Sequence, residues 1–131
     1  MGRVLVLGSL NVDLVTSVER HPRPGETVLG DGLSRLAGGK GANQAVAARA
    51  AGVEVTMVGC VGADAGGAAY RKRLAERGID SEHVRTASGE PTGTALIAVS
   101  DDAENAIIVV PGANAALDDR EVEAVESLTV G

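Results

Sequence analysis

Apolar residues come in short runs along this chain, and the residues between the runs mark the elements. Val4-Leu5-Val6-Leu7 stops at Gly8, a pattern that predicts a strand buried on both faces, as in parallel sheets. Leu14–Val18 reads as a second strand, ended by the turn chemistry of His21-Pro22-Arg23-Pro24-Gly25. Thr27–Leu36 contains Gly30, Asp31 and Gly32, which disfavour a helix, so it reads as kinked strand. Ala is the strongest helix former, and the Ala-rich segment Ala42–Ala51 predicts a helix stopped by Gly52. Val53–Val61 is the next β-like run. Asp64 fits the N-cap of a helix reaching Arg77, with Gly78 as its stop. Tyr70 and Leu74, four apart, share the buried face of that helix. Thr92–Val99 and Ala106–Val110 flank the polar Ser100–Asn105 and predict a hairpin with a long loop. Asp118 or Asp119 then caps a last helix with Val122, Val125 and Leu128 along one side.

Strands alternating with helices imply an α/β fold with a mainly parallel sheet, and the hairpins imply a second sheet. The chain stops after a helix, where such folds normally run on into a strand. It therefore reads as cut short rather than finished.

Composition narrows the picture. With no Phe, no Trp, one Tyr and 44% hydrophobic residues, the core must be built from small aliphatic side chains. The 131 residues suffice for one domain with a real core. No apolar run is long enough to span a bilayer, and no signal peptide is visible. A net charge of −6 argues against nucleic acid or an anionic membrane as main partner. The single cysteine, Cys60, excludes an internal disulfide framework and a zinc cluster, so a reducing cytoplasm is expected.

Three clusters carry candidate chemistry. Asn11 and Asp13 follow the first strand, where ligands of open α/β sheets bind. In extended backbone they point the same way and offer donors and acceptors suited to sugar hydroxyls. A local turn is the alternative. Next comes Gly38-Gly39-Lys40-Gly41-Ala42-Asn43-Gln44. Its glycines allow close backbone approach, and a helix starting here turns a partial positive charge toward a ligand. Its spacing matches neither the P-loop nor the dinucleotide fingerprint. A tight entry into a close-packed Ala helix is the structural alternative. Third, Pro111-Gly112-Ala113-Asn114 reads as a plain loop, with closure of a site as the alternative. Cys60 reads as a small core residue, and His21 and His83 as surface residues. Ser9 has no evident His/Asp partner. Asp101, Asp102 and Glu104 read as a solvated hairpin tip.

Gly39-Lys40-Gly41-Ala42-Asn43-Gln44-Ala45-Val46-Ala47-Ala48 resembles the first signature of the ribokinase-like (PfkB) sugar kinase family. Asn11-Val12-Asp13, Pro24-Gly25-Glu26-Thr27, Gly59–Gly62, Thr92-Gly93 and Gly112-Ala113-Asn114 follow in the family's order, so the resemblance covers essentially the whole chain. The Gly-Lys-Gly-Ala-Asn-Gln form is most like the ribokinase branch. The resemblance implies a Rossmann-like, mainly parallel sheet flanked by helices, plus a small β-sheet lid from strands within about 14–36 and 92–110. It implies a sugar, ribose above all, held by Asn11, Asp13, Gly39, Lys40 and Asn43. The implied reaction moves the γ-phosphate of ATP to the sugar's 5-hydroxyl, with magnesium and a monovalent cation such as potassium. A homodimer joined through the lids is also implied.

The family's members are much longer. Their later half carries an Asp-Thr-x-Gly-Ala-Gly-Asp signature, whose last Asp is the catalytic base, together with the ATP pocket and the cation loop. Gly62-Ala63-Asp64 only echoes it, so residues 1–131 are expected to supply sugar-binding residues and lid, with no catalytic base and no cofactor bound by this chain alone. The alternatives are a non-catalytic stand-alone sugar-binding or regulatory module, an inactive fragment, and a different substrate: another pentose, a hexose or a nucleoside.

Overall fold

The computed structural model describes residues 2–129. The strands are β1 (Arg3–Leu7), β2 (Asn11–Val18), β3 (Gly30–Gly38), β4 (Glu54–Gly62), β5 (Asp80–Ala87), β6 (Gly93–Val99) and β7 (Asn105–Val110). The helices are α1 (Lys40–Ala50), α2 (Ala65–Glu76) and α3 (Asp119–Thr129), and a 3-10 turn spans Gly112–Ala116.

Two sheets form. The first is parallel, in the order β1-β4-β5, and its strands are linked by α1 and α2. The second, in the order β3-β2-β6-β7, mixes antiparallel pairs at its sides with a parallel β2–β6 pair at its centre. It is assembled from two excursions. The chain leaves the parallel sheet after β1 to make β2 and β3, and again after β5 to make β6 and β7. Both departures occur at carboxyl ends of parallel strands, so the second sheet stands over the end where α/β folds bind ligands.

Small aliphatic residues fill the core as composition requires. Val6, Leu10, Ala42, Ala45, Val55, Met57, Val61, Tyr70, Leu74, Ile79 and Val84 form one buried cluster. β4 is the central strand and is buried from Val55 to Gly62. Glycine brings the layers close: a Cβ on Gly41 would lie 2.7 Å from the Cα of Gly8, so the first turn of α1 seats directly on the end of β1. Gly52 and Gly78, with φ of 90° and 71°, follow α1 and α2 as the left-handed residues that stop them.

Several expectations change. β1 is not buried on both faces. It is an edge of its sheet among the described residues, and Leu7 is 47% exposed. β5 was not foreseen. Asp80-Ser81-Glu82-His83-Val84-Arg85-Thr86-Ala87 is too polar to read as a parallel strand, yet an edge position lets its polar side chains reach water while Val84 and Ala87 stay buried. β2 begins at Asn11, three residues before the expected start, because it pairs from there with both β3 and β6. Those ladders override the low strand propensity of Asn and Asp. α1 likewise starts at Lys40 rather than Ala42.

Cys60 is buried, as read, but its neighbours are not only apolar. Its thiol donates to Glu121 at 3.5 Å, and burial, then the nearby Glu121 charge, push the thiol up to about 11. Glu121 is itself buried and pairs with Arg85 at 2.6 Å, while Arg85 also donates to the Ala116 carbonyl at 2.7 Å. A buried charge needs such a partner. The group ties α3 and the 3-10 turn to β5.

Candidate functional site

Between the second sheet and the start of α1 lies a cleft of about 460 Å³. Asn11, Asp13, Gly39, Lys40 and Asn43, the five residues singled out from sequence, all line it. Asn11 and Asp13 are two apart on β2 and share the face turned to the cleft. Lys40 opens α1, and Asn43 follows within its first turn. Gly39, with φ of 95°, makes the corner between β3 and α1. A Cβ there would lie 2.6 Å from the Ser9 carbonyl oxygen and 2.9 Å from the Asn11 nitrogen, so only glycine fits. No side chain caps α1, which leaves the positive end of its dipole facing the cleft.

Asn114 proves to belong to the cleft rather than to a plain loop. Its Oδ1 accepts from the Leu10 N–H at 3.0 Å. Its Nδ2 donates to the Leu10 carbonyl at 3.2 Å and to Asn11 Oδ1 at 2.7 Å. This sets the orientation of Asn11: with Oδ1 engaged, its amino group is the part left to donate. Gly93 makes room for the pair, since a Cβ there would collide with the Asn114 amide. The Pro111–Asn114 cluster carried a sequence signal, but its partners lie 103 and 104 residues away.

The Asp13 carboxylate has no hydrogen bond among the described residues, and it is pushed up from its ordinary value by burial. It sits over the backbone of Gly38, where a Cβ would strike the carboxylate. The Gly38 carbonyl in turn accepts a short hydrogen bond from the hydroxyl of Tyr70, on α2. Sequence placed Tyr70 only in the core; in addition, it steadies the β3–α1 corner from below. The missed lining residues are apolar. Ala95, Ile97, Ile107 and Val109 from β6 and β7 form the wall opposite α1.

Asp64 holds a junction of elements together. It caps α2 by accepting from the Gly67 N–H at 2.9 Å. It also accepts from the Thr92 hydroxyl at 2.6 Å and the Thr92 N–H at 2.9 Å. The Thr92 hydroxyl bond, above all, holds the carboxyl below its ordinary value. Thr92 in turn accepts from the Gly62 N–H at 2.9 Å, so β4, α2 and the start of β6 meet at one junction.

A polar floor, a helix N-terminus and an apolar wall suit a polyhydroxylated ligand with one less polar face. Residues 1–130 match the pfkB family of carbohydrate kinases, and the chain belongs to that family. It is 43% identical over 122 residues to the ribokinase of Haemophilus influenzae, a match covering 93% of this chain and 40% of that protein. Among solved structures, the ribokinase of Giardia lamblia superposes with a TM-score of 0.85 at 34% identity, over 96% of this chain and 38% of its own. Arabidopsis thaliana ribokinase, solved with ribose and ATP, superposes with a TM-score of 0.78 at 38% identity, over 86% of this chain and 36% of its own. The chain thus spans about 40% of the length of the curated relatives it matches. Among the described residues no helix is long and apolar enough to cross a membrane.

Proposed function

We propose that the cleft is the sugar site of a ribokinase-type enzyme that transfers the ATP γ-phosphate to the 5-hydroxyl of D-ribose. The observation that carries this reading is the convergence of Asn11, Asp13, Gly39, Lys40 and Asn43 on one cleft, with Asn11 oriented by Asn114. Asp13 accepts from sugar hydroxyls, the Asn11 amino group and Lys40 donate to them, and Asn43 does either. Gly39 lets the ring approach the backbone. The wall of Ala95, Ile97, Ile107 and Val109 covers the sugar's C–H face and excludes water. These residues bind and orient the sugar; transfer itself depends on charge stabilisation around the phosphoryl group. We assign the base that takes the 5-hydroxyl proton, and the sites for ATP, magnesium and potassium, to sequence beyond this chain. Among the described residues no group of three or more His, Cys, Asp or Glu side chains is placed to hold a metal ion.

The deciding experiment compares ribose-dependent ADP release by the 131-residue chain and by a protein extended to the end of its reading frame. Activity only in the extended protein, greatest with ribose among pentoses, hexoses and nucleosides and lost in Asp13→Asn and Asn11→Ala, is expected. Activity in the short chain, or strong preference for another substrate, overturns the assignment.

The second sheet also fits a homodimer interface. Its outer face exposes Leu33, Leu96 and Ile108, at 66%, 42% and 64%, and a contiguous apolar patch of this kind marks an association surface. A second copy of the chain is the proposed occupant.

A further inference from the structure

Behind β2 lies a second cavity of about 420 Å³, between the second sheet and α2. Val12 lines it, on the strand face opposite Asn11 and Asp13, together with Ala37 from β3 and Ala65, Gly66 and Ala69 from α2. Tyr70 is buried against it. Two arginines also line this apolar space: Arg35 from β3 and Arg73 from α2. Neither has an ion-pair partner among the described residues. Asp64 is engaged with Thr92 and Gly67, and Glu76 with Lys72, while the unengaged Asp13 carboxylate belongs to the cleft face of β2, where its charge also acts on the Tyr70 hydroxyl. The chain as a whole is acidic, so two uncommitted arginines beside one apolar cavity form a local positive feature.

We propose that this cavity binds a small organic anion with an apolar body, its oxyanion head on Arg35 and Arg73 and its hydrocarbon part against Val12, Ala37 and Ala69. Guanidinium groups present planar, paired donors that match carboxylate and phosphate oxygens. The small side chains lining the space leave room for a short chain or ring, and removing that surface from water favours binding. A bare inorganic anion leaves the apolar lining wet, and a neutral hydrocarbon leaves the arginines without a partner. The ligand therefore needs both parts. The proposal stands independently of the sugar reading, because it uses the other face of β2.

The chain carries its own reporter. Tyr70 is the only tyrosine and there is no tryptophan, so tyrosine emission from the 131-residue chain comes from this cavity. The ring is electrostatically connected to it: burial above all raises the Tyr70 hydroxyl to about 12, with the Arg73 charge opposing. The test titrates the chain with hexanoate, hexyl phosphate, hexanol and inorganic phosphate, following Tyr70 emission and the NMR shift of the Ala69 methyl. A saturable response to hexanoate or hexyl phosphate is expected, and which of the two binds tighter identifies the head group as carboxylate or phosphate. Hexanol, inorganic phosphate, and either anion on the Arg35→Ala/Arg73→Ala variant are expected to bind about tenfold more weakly, or worse. If the double variant loses its fold, as read by circular dichroism, Arg35→Gln alone is expected to weaken binding in the same direction. A flat response in both readouts, equal binding of hexanol, or unchanged binding by the arginine variants overturns the proposal.

Discussion

Asp13 is a carboxylate kept partly from water without a hydrogen-bond partner, and that arrangement costs stability while it stands ready for a ligand. Its pKa is raised in the folded chain, so the folded state holds the proton more tightly than the unfolded state does. The unfavourable contribution is therefore full above the folded pKa and relieved as pH falls through it. Asp13→Asn is expected to leave the protein at least as stable at pH 7 as the parent, while abolishing the proposed sugar binding; thermal denaturation with ribose titration checks both. Asn114 presents the opposite case. Asn114→Ala leaves the Leu10 N–H and carbonyl and the Asn11 amide without their partner, an expected loss of about 2 kcal/mol in a urea titration. Asn114→Asp is no remedy, because the oxygen replacing Nδ2 would face the Leu10 carbonyl, another acceptor. The Pro111-Gly112-Ala113-Asn114 cluster signalled a loop that could close a site, but not which backbone it bonds. The residue types were visible in sequence, but the geometry that gives them a role is made by distant backbone. That Asn11 and Asp13 share a side when extended is a local property open to sequence, whereas the strand that extends them, expected only from Leu14, is made by pairing with β3 and β6.

The element scale shows where local signals suffice. α2 was readable at both ends, from Asp64 at its N-cap to Gly78 after it, because caps are decided within a few residues. β5 was not, because an edge strand of polar residues is held by its pairing with β4, which no local pattern encodes. The corner between β3 and α1 belongs to the readable kind. Gly39→Ala is expected to cost about 2 kcal/mol or more, through the positive φ and the collision with the Ser9 carbonyl. The junction of β4, α2 and β6 has a pH dependence of definite sign. Asp64 is more acidic in the folded than in the unfolded chain. Its contribution is complete at neutral pH, starts to fade as pH drops through the ordinary carboxylate range, and is lost through the still lower folded pKa. Asp64→Asn is thus expected to be less stable by about 1–2 kcal/mol at pH 7. The gap to the parent should narrow steadily as pH falls below the ordinary carboxylate range in acid-range denaturation curves.

For the molecule as a whole, the alternation of strands and helices predicted the parallel sheet, and the misfit of the hairpins predicted the second one. What sequence did not convey is that the β6–β7 half of the second sheet is apolar on both faces, one turned to the cleft and one to the outside. Ile108→Glu on the outer face is expected to weaken self-association about a hundredfold in sedimentation equilibrium, with the proposed ribose binding retained. The bonds from Asn114 to Leu10 and Asn11 have a further consequence in time rather than in space. Chains emerge from the ribosome from the amino end, and β2 leaves long before residue 114. Until then Asn11 lacks the partner that orients it, and a nascent chain has a cleft floor but no defined donor pattern. Closing so long a loop is among the slower steps of folding. Definition of the cleft's donor pattern therefore waits on the docking of the 3-10 turn.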